Sequence, residues 1–272
     1  MISFPKAKIN IGLRVTAKRN DGFHDIETVF YPVSLCDALE FVVPPGRVKE
    51  DMLNVTGINI GSHPDKNLVI RCARRMRENY PIPFLKIHLH KAIPAAAGLG
   101  GGSSDAACMI KAINKCFNLS ISESELKSIA LEMGSDCPFF LDPVPSLATG
   151  RGEVLKHISQ FPEGYQIVLV NPAIRISTRD AYNNCIPARP KKRLEKLVTL
   201  HPSEWKKYIV NDFEDYAFKI YPLIGEIKES LYEAGALYSS MSGSGSTVYG
   251  IFKKKPEIPE KFRQFVIYEG KL

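Results

Sequence analysis

Pro94-Ala95-Ala96-Ala97-Gly98-Leu99-Gly100-Gly101-Gly102-Ser103-Ser104-Asp105 joins a segment with strand periodicity to one with helix periodicity, and its reading decides the fold. Four glycines in the five positions 98–102 free the backbone of Cβ atoms, so it can curl and aim several N–H groups at one point. A helix that starts at once adds unbonded first-turn amides and the positive end of its dipole. Ser103 and Ser104 add hydroxyls where a phosphate or a magnesium ion would sit. A flexible linker has similar composition, but linkers do not run from a strand straight into a capped helix. The stretch reads as a phosphate-binding loop.

Its flanks agree. Leu85, Ile87 and Leu89 alternate with Lys86, His88 and His90, the period of a half-buried strand over 84–90. Beyond the loop, Ala106, Met109, Ile110, Ile113 and Phe117 share one face at helical spacing over 105–117. Ser104 or Asp105 can serve as the N-cap. A Walker loop would end in Gly-Lys-Ser/Thr, and a dinucleotide fingerprint would place a third glycine where Ser103 stands. Neither is present, which leaves triphosphate binding by a different architecture.

At 272 residues the chain suits two modest domains. With 44% hydrophobic and 24% charged residues it has ordinary globular composition. No apolar run reaches membrane-spanning length and the start of the sequence lacks a signal peptide's apolar segment. Cys36, Cys72, Cys108, Cys116, Cys137 and Cys185 show no close paired spacing, which points away from disulfides or zinc and towards a reducing cytoplasm. The net charge of +7 raises the question of nucleic acid. Yet Arg71, Arg74, Arg75 and Arg77, and the group Arg189, Lys191, Lys192 and Arg193, lack interleaved aromatics or a nucleic-acid motif. They read as solvated surface that attracts small anions.

Residues 1–45 are β-rich, with a turn at Asp21-Gly22. Asn67 caps an expected helix over 68–79, and Ser122 with Glu125 forms a capping box for another that Gly134 stops. Pro143-Val144-Pro145 and Gly150-Arg151-Gly152 break the pattern, so the expected domains are 1–149 and 150–272. The second half opens on an apolar strand over 167–170. Helical segments follow around 178–184, 194–200, 203–209 and 213–220, and another begins at Pro222. A second glycine-rich loop, Met241-Ser242-Gly243-Ser244-Gly245-Ser246, precedes a strand over 247–252.

Four further features could carry chemistry. Asp136, in Gly134-Ser135-Asp136-Cys137-Pro138-Phe139-Phe140, follows a helix end; it could be a general base, a magnesium ligand or a turn aspartate bonding its own backbone. Spacing leaves these readings open. Lys8, between Ala7 and Ile9, needs a carboxylate partner if it faces inward. Asp21-Gly22-Phe23-His24 projects an aromatic and a histidine from a turn, a common way to stack on a flat ligand, although a surface histidine looks the same. The 242–246 loop could be a plain hairpin, but two glycine-serine loops in one chain suggest that both serve one polyphosphate. His88 and His90 lack further metal ligands and read as the solvent side of their strand.

These motifs occur together and in this order in the GHMP kinase superfamily, which the chain resembles over nearly its whole length. The matching segments are Ala7-Lys8-Ile9-Asn10, Arg19-Asn20-Asp21-Gly22-Phe23-His24, the 98–105 loop, the 134–140 segment and the 241–246 loop. Within the superfamily the chain is similar to the kinases acting on 4-diphosphocytidyl-2-C-methyl-D-erythritol in non-mevalonate isoprenoid synthesis. The resemblance implies a two-domain α+β fold, with an N-terminal domain like domain 2 of ribosomal protein S5 and a ferredoxin-like C-terminal domain. It implies ATP and Mg2+, with the metal ligands unassigned, and phosphorylation of the substrate's 2-hydroxyl. Lys8 and Asp136 fall on the family's catalytic positions, and 94–104 on its ATP loop. Asn67 falls near the adenine. Asn10, Phe23, His24, Thr178 and Tyr182 fall on the substrate side, with cytosine between Phe23 and Tyr182. Phe23 stands where a tyrosine is frequent, so stacking survives without a phenol hydrogen bond.

Other readings are a GHMP kinase for homoserine or a mevalonate phosphate, a non-catalytic nucleotide-binding regulator, and a nucleic-acid binder. The cytidine-side aromatics oppose the first, the joint presence of Lys8 and Asp136 the second, and the lack of any motif the third. The expected partner is therefore a small molecule, not nucleic acid or membrane, for a cytoplasmic monomer or homodimer.

Overall fold

The computed structural model describes residues 1–46, 48–61, 64–159, 161 and 163–272. Its strands are β1 (Ile2–Ser3), β2 (Lys6–Lys18), β3 (His24–Cys36), β4 (Ala38–Val42), β5 (Met52–Gly57), β6 (Lys86–Lys91), β7 (Ser146–Thr149), β8 (Val154–His157), β9 (Gln166–Val170), β10 (Tyr238–Met241), β11 (Val248–Phe252) and β12 (Val266–Lys271). The α-helices are α1 (Leu68–Asn79), α2 (Gly101–Cys116), α3 (Glu123–Met133), α4 (Thr178–Asn183), α5 (Leu194–Leu197), α6 (Pro202–Trp205), α7 (Glu214–Ile220), α8 (Pro222–Glu233) and α9 (Glu260–Arg263). Contacts divide the chain into two compact units. One contains Met1–Ala7, Leu35–Ala95 and Gly100–Pro143; the other contains Lys8–Ser34, Ala96–Leu99 and Val144–Leu272. A linear cut at 149/150 does not describe these units, because most of the β2–β3 hairpin belongs with strands made after residue 143.

In the first unit a four-stranded sheet runs β1-β4-β6-β5. β5 lies parallel to β6, as α1 between them in sequence allows. The alternation read from the sequence sets the face of β6: Ile87 and Leu89 are buried, whereas His88 and His90 lie exposed and share the Thr56 hydroxyl at 2.9 and 3.0 Å. The side-chain oxygen of Asn67 accepts the Val69 N–H at 3.0 Å and so caps α1. Ser122 accepts the Glu125 N–H at 3.2 Å at the start of α3, while the Glu125 carboxylate receives the Tyr80 hydroxyl at 2.5 Å. The two histidines of β6 and both N-caps thus stand where the periodicity and the capping rules put them.

One expectation is corrected. α2 starts at Gly101, not at 105, and its N-cap is Gly100 at φ +69°, with no side-chain capping bond. The glycines therefore form the first helical turn themselves. Asp105 lies inside the helix and is buried.

The second unit holds two four-stranded sheets, β2-β3-β7-β8 and β10-β11-β9-β12. In the latter every pairing is antiparallel. β9 is central and reads as a continuous apolar run because its side chains from Ile167 to Val170 are all buried. Val168, Val170, Met241, Val248 and Phe252 form a core with Ala217 of α7 and Ile224, Ile227 and Leu231 of α8. The helical segments expected at 194–200 and 203–209 shrink to single turns, α5 and α6. The intervening Pro202 sits at a helix start, the place where its missing N–H costs nothing. Among the described residues no helix is long and apolar enough to cross a membrane.

Candidate active site

Lys8 faces inward from β2, only 4% exposed. A lysine emerges in so apolar a strand only if its ammonium is well supplied with acceptors. Its Nζ donates to Asn10 Oδ1 at 2.6 Å and to the Gly98 carbonyl at 3.2 Å, and it sits 4.9 Å from the centre of the Phe30 ring. Asn10 is itself fixed. Its Nδ2 donates to Thr28 Oγ1 at 3.0 Å, and the Thr28 hydroxyl donates to the Gly12 carbonyl at 2.5 Å.

The second glycine loop closes on the same place. The Asn10 N–H donates to Ser242 Oγ at 3.1 Å, and Ser242 Oγ donates to the Gly98 carbonyl at 2.8 Å. The Lys8 N–H reaches the Leu99 carbonyl at 2.9 Å, and the Thr247 N–H the Ala97 carbonyl at 3.3 Å. Backbone meets backbone here: a Cβ on Gly98 would strike the Ser242 carbonyl, and one on Gly243 would press on Asn10 Oδ1 at 3.2 Å. Asn211 holds this loop from beneath, its Nδ2 donating to the carbonyls of Met241 and Gly243 at 2.8 Å each. Nothing in the sequence marked Asn211, which stands in no motif. The 242–246 loop is the hairpin connection between the antiparallel strands β10 and β11, and its small residues also permit a close approach to Gly98.

At the tip of the β2–β3 hairpin, Phe23 is half exposed and carries the Arg151 guanidinium 4.7 Å from its ring centre. The Gly150 carbonyl accepts the Ile26 N–H at 2.7 Å, which sets the Arg151 turn against the hairpin. His24 stacks on Tyr182, with ring centroids 4.8 Å apart and planes 16° from parallel, and Tyr182 meets the edge of Phe213 at 4.8 Å. Tyr182 thus packs on His24 and Phe213, and the planar cation against Phe23 is Arg151. Burial, helped by the charge of Lys18, lowers the His24 pKa, so the ring is neutral at pH 7 and can both donate and accept. The Thr178 hydroxyl lies 3.0 Å from that of Ser244, which links α4 to the second glycine loop.

In the first unit, the first intrahelical bond of α2 runs from the Ser104 N–H to the Gly100 carbonyl at 2.9 Å. The amides of Gly101, Gly102 and Ser103 precede it and have no acceptor within the helix, the usual requirement for an anion seat. The acidic junction lies close by. Asp136 opens a 3-10 turn over Cys137–Leu141 without a side-chain cap. Burial pushes the Cys137 thiol up to about 11, and nearby Ser103 only partly offsets it. Thus Ser103 and Asp136, far apart in sequence, belong to one neighbourhood. Phe139 and Phe140 are buried in this turn. Asn67, expected near an adenine, presents an oxygen already engaged as a helix cap.

The glycine stretch matches the family described as GHMP kinases N terminal domain over residues 67–142, and the GHMP kinases C terminal family matches residues 192–268. A 4-diphosphocytidyl-2-C-methyl-D-erythritol kinase of Parabacteroides distasonis is 46% identical over 274 residues, covering 100% of both chains. The chain belongs to that kinase family. The corresponding protein of Bacteroides thetaiotaomicron is 45% identical over 96% of this chain and 95% of its own. A crystal structure of 4-(cytidine 5'-diphospho)-2C-methyl-D-erythritol kinase superposes with a TM-score of 0.80 at 29% identity, covering 100% of this chain and 98% of the other. The α+β GHMP kinase fold follows.

A buried charge cluster in this kinase went unread in the sequence. Lys91 donates to Asp105 Oδ2 at 2.6 Å and to Asp37 Oδ2, while Asp37 Oδ1 accepts the N–H groups of Ala92 at 2.6 Å and Ile93 at 2.8 Å. Among the described residues Asp105 Oδ1 is buried without a hydrogen-bond partner. Two carboxylates share one lysine, so burial, with Asp37 adding to it, pushes the Asp105 pKa up to about 7 against the pull of Lys91. Native Asp105 then keeps a proton that the unfolded chain gives up near pH 4. Stability falls as pH rises from about 4 to about 7 and is level above that. Asp105→Asn should remove this slope, matching wild type at pH 4 and exceeding it at pH 8 by roughly 1–3 kcal/mol. Urea unfolding at both pH values is the check, and an equal difference at both would remove the proton from Asp105.

Proposed function

We infer that the chain is an ATP-dependent kinase that phosphorylates the 2-hydroxyl of 4-diphosphocytidyl-2-C-methyl-D-erythritol in cytoplasmic, non-mevalonate isoprenoid synthesis. Full-length kinship with kinases of that name carries the reading. The uncapped amides of Gly101, Gly102 and Ser103 support it as a polyphosphate seat. Phosphoryl transfer asks for alignment and charge stabilisation more than covalent work. Asp136 accepts the hydroxyl proton. Lys8, anchored by Asn10 and the Gly98 carbonyl, offsets charge developing on the transferring group. The 94–104 loop holds the triphosphate. Mg2+ supplies charge neutralisation when bound. Among the described residues no group of three His, Cys, Asp or Glu could hold a metal alone, which suits an ion ligated mainly by phosphate oxygens.

Selection falls to Phe23, His24, Thr178 and Tyr182, because phosphates are common to every kinase substrate pair. Phe23 presents an exposed face and the neutral His24 ring offers a donor and an acceptor to a base edge. Purified enzyme should consume ATP with the cytidylylated substrate, and not with the uncytidylylated sugar phosphate or homoserine; consumption with homoserine alone would move the chain to another branch. Phe23→Ala and Tyr182→Ala should each lower kcat/KM for the cytidylylated substrate by about one to two decades, the worth of one stacked base. The Kd of an ATP analogue should hardly change. Loss of ATP affinity with the cytidine compound still bound would reverse the assignment of the two nucleotide sites.

A further inference from the structure

The Asp37–Lys91–Asp105 cluster has no part in the chemistry above, yet all three side chains are nearly inaccessible, at 0%, 3% and 4% exposure. Charges so deep are costly, and an apolar trio of the same volume would fill the space with less strain on solvation. What such a trio could not do is fix direction. Lys91 ends β6, and Ala92 and Ile93 lead into the glycine loop; both of their N–H groups are taken by Asp37. Asp105 lies in α2, just after the loop. The Lys91–Asp105 bond at 2.6 Å therefore joins the chain entering the loop to the chain leaving it.

The joint is tight. A Cβ on Gly101 would meet Ile93 Cβ at 3.1 Å and Lys91 Nζ at 3.4 Å, so the end of β6 packs directly behind the first residue of α2. That residue and the next two carry the amides free to take an anion. With the joint closed, their direction is settled before any ligand arrives, and binding need not order them.

We propose that Lys91 and Asp105, backed by Asp37, are positioning residues that clasp the two ends of the glycine loop and hold its first-turn amides ready for the nucleotide. The proposal rests on reading 94–104 as the ATP loop. Without the clasp, the loop can still form but must be ordered by the ligand, so nucleotide affinity falls while the cytidine side is untouched.

The test is calorimetric binding of a non-hydrolysable ATP analogue with Mg2+, and separately of the cytidylylated substrate, alongside kcat and KM. Asp105→Ala and Lys91→Met should raise the analogue's Kd about tenfold or more. The Kd of the cytidine compound and kcat at saturating ATP should stay within about threefold. Asp105→Asn keeps an oxygen for Lys91 and should bind the analogue within about threefold of wild type. If the alanine and methionine variants do not fold, Asp105→Ser, which shortens the reach, should show the same split. Variants that melt earlier but bind the analogue like wild type overturn the clasp, as do equal losses for both ligands. A wild-type enzyme that does not bind the analogue overturns the reading of the loop instead.

Discussion

Asp136→Asn should fold, bind an ATP analogue as wild type does, and turn over about 10²–10⁴-fold more slowly, the usual loss with a general base. Asparagine keeps the shape of the carboxylate, and Asp136 provides no side-chain cap to the turn that follows it. The junction is held by other groups: the buried Cys137, Phe139 and Phe140, and the Lys111 ammonium on the Leu141 carbonyl at 2.5 Å. What leaves is the acceptor for the substrate's hydroxyl proton, which an amide cannot replace. Single-turnover kinetics at saturating substrates separate this from weakened binding, and a folded variant within threefold of wild type would take the base role from Asp136.

Gly98→Ala should lose about 3–4 kcal/mol of stability, or roughly 10 °C in Tm, the combined result of backbone strain and a steric clash. Gly98 sits at φ +77°, where a side chain is disfavoured, and its Cβ would be driven into the backbone carbonyl of Ser242. Backbone cannot swing aside as a side-chain end can. The Gly98 carbonyl also receives Lys8 Nζ and Ser242 Oγ, so displacement breaks two bonds at once. Gly102→Ala is the contrast. A Cβ there meets only Leu68 Cδ1 at 3.8 Å, an ordinary contact. That variant should melt like wild type, and any defect should lie in its KM for ATP, since the methyl group stands at the phosphate seat. Thermal unfolding of the pair decides the matter; equal Tm values would mean that Gly98 tolerates what its surroundings forbid.

Local pattern made much of this legible. The alternation of Leu85, Ile87 and Leu89 and the caps at Asn67 and Ser122 follow from rules acting over a few residues, whereas the direction of Lys8, in a strand buried on both faces, stayed open in the sequence. The charge cluster shows where such rules run out. Lys91 falls on the same parity as Leu85, Ile87 and Leu89, so the strand period already sends it inward. Its charge argues for solvent, and only Asp37 and Asp105 reverse that. Asp105 has the look of an N-cap because acids favour first turns. A glycine cap moved the helix start back and carried it into the interior. Asn211 and Arg151 depend on contacts with residues far along the chain, which no window of sequence displays. The Pro-rich break after Leu141 marks one crossing between the compact units, whereas the crossings at 7/8 and 34/35 carry no composition signal and those within the glycine loop read as a phosphate loop, not as a boundary.

The interleaving of the two units bears on how the polypeptide is made. Residues 8–34 leave the ribosome early, but partners such as Ser242, which takes the Asn10 amide, and Tyr249, whose hydroxyl reaches the Asn10 carbonyl, come at separations of 232 and 239 residues. At about 5–20 residues per second, the β2–β3 hairpin waits on the order of 10–50 s with its inner face unpartnered. The other unit has all its parts once residue 143 is out. Synthesis therefore finishes one unit while the apolar strand carrying Ile9, Ile11 and Leu13 remains exposed to whatever is nearby. A nascent chain stalled before residue 240 is the form of this protein most in need of a chaperone.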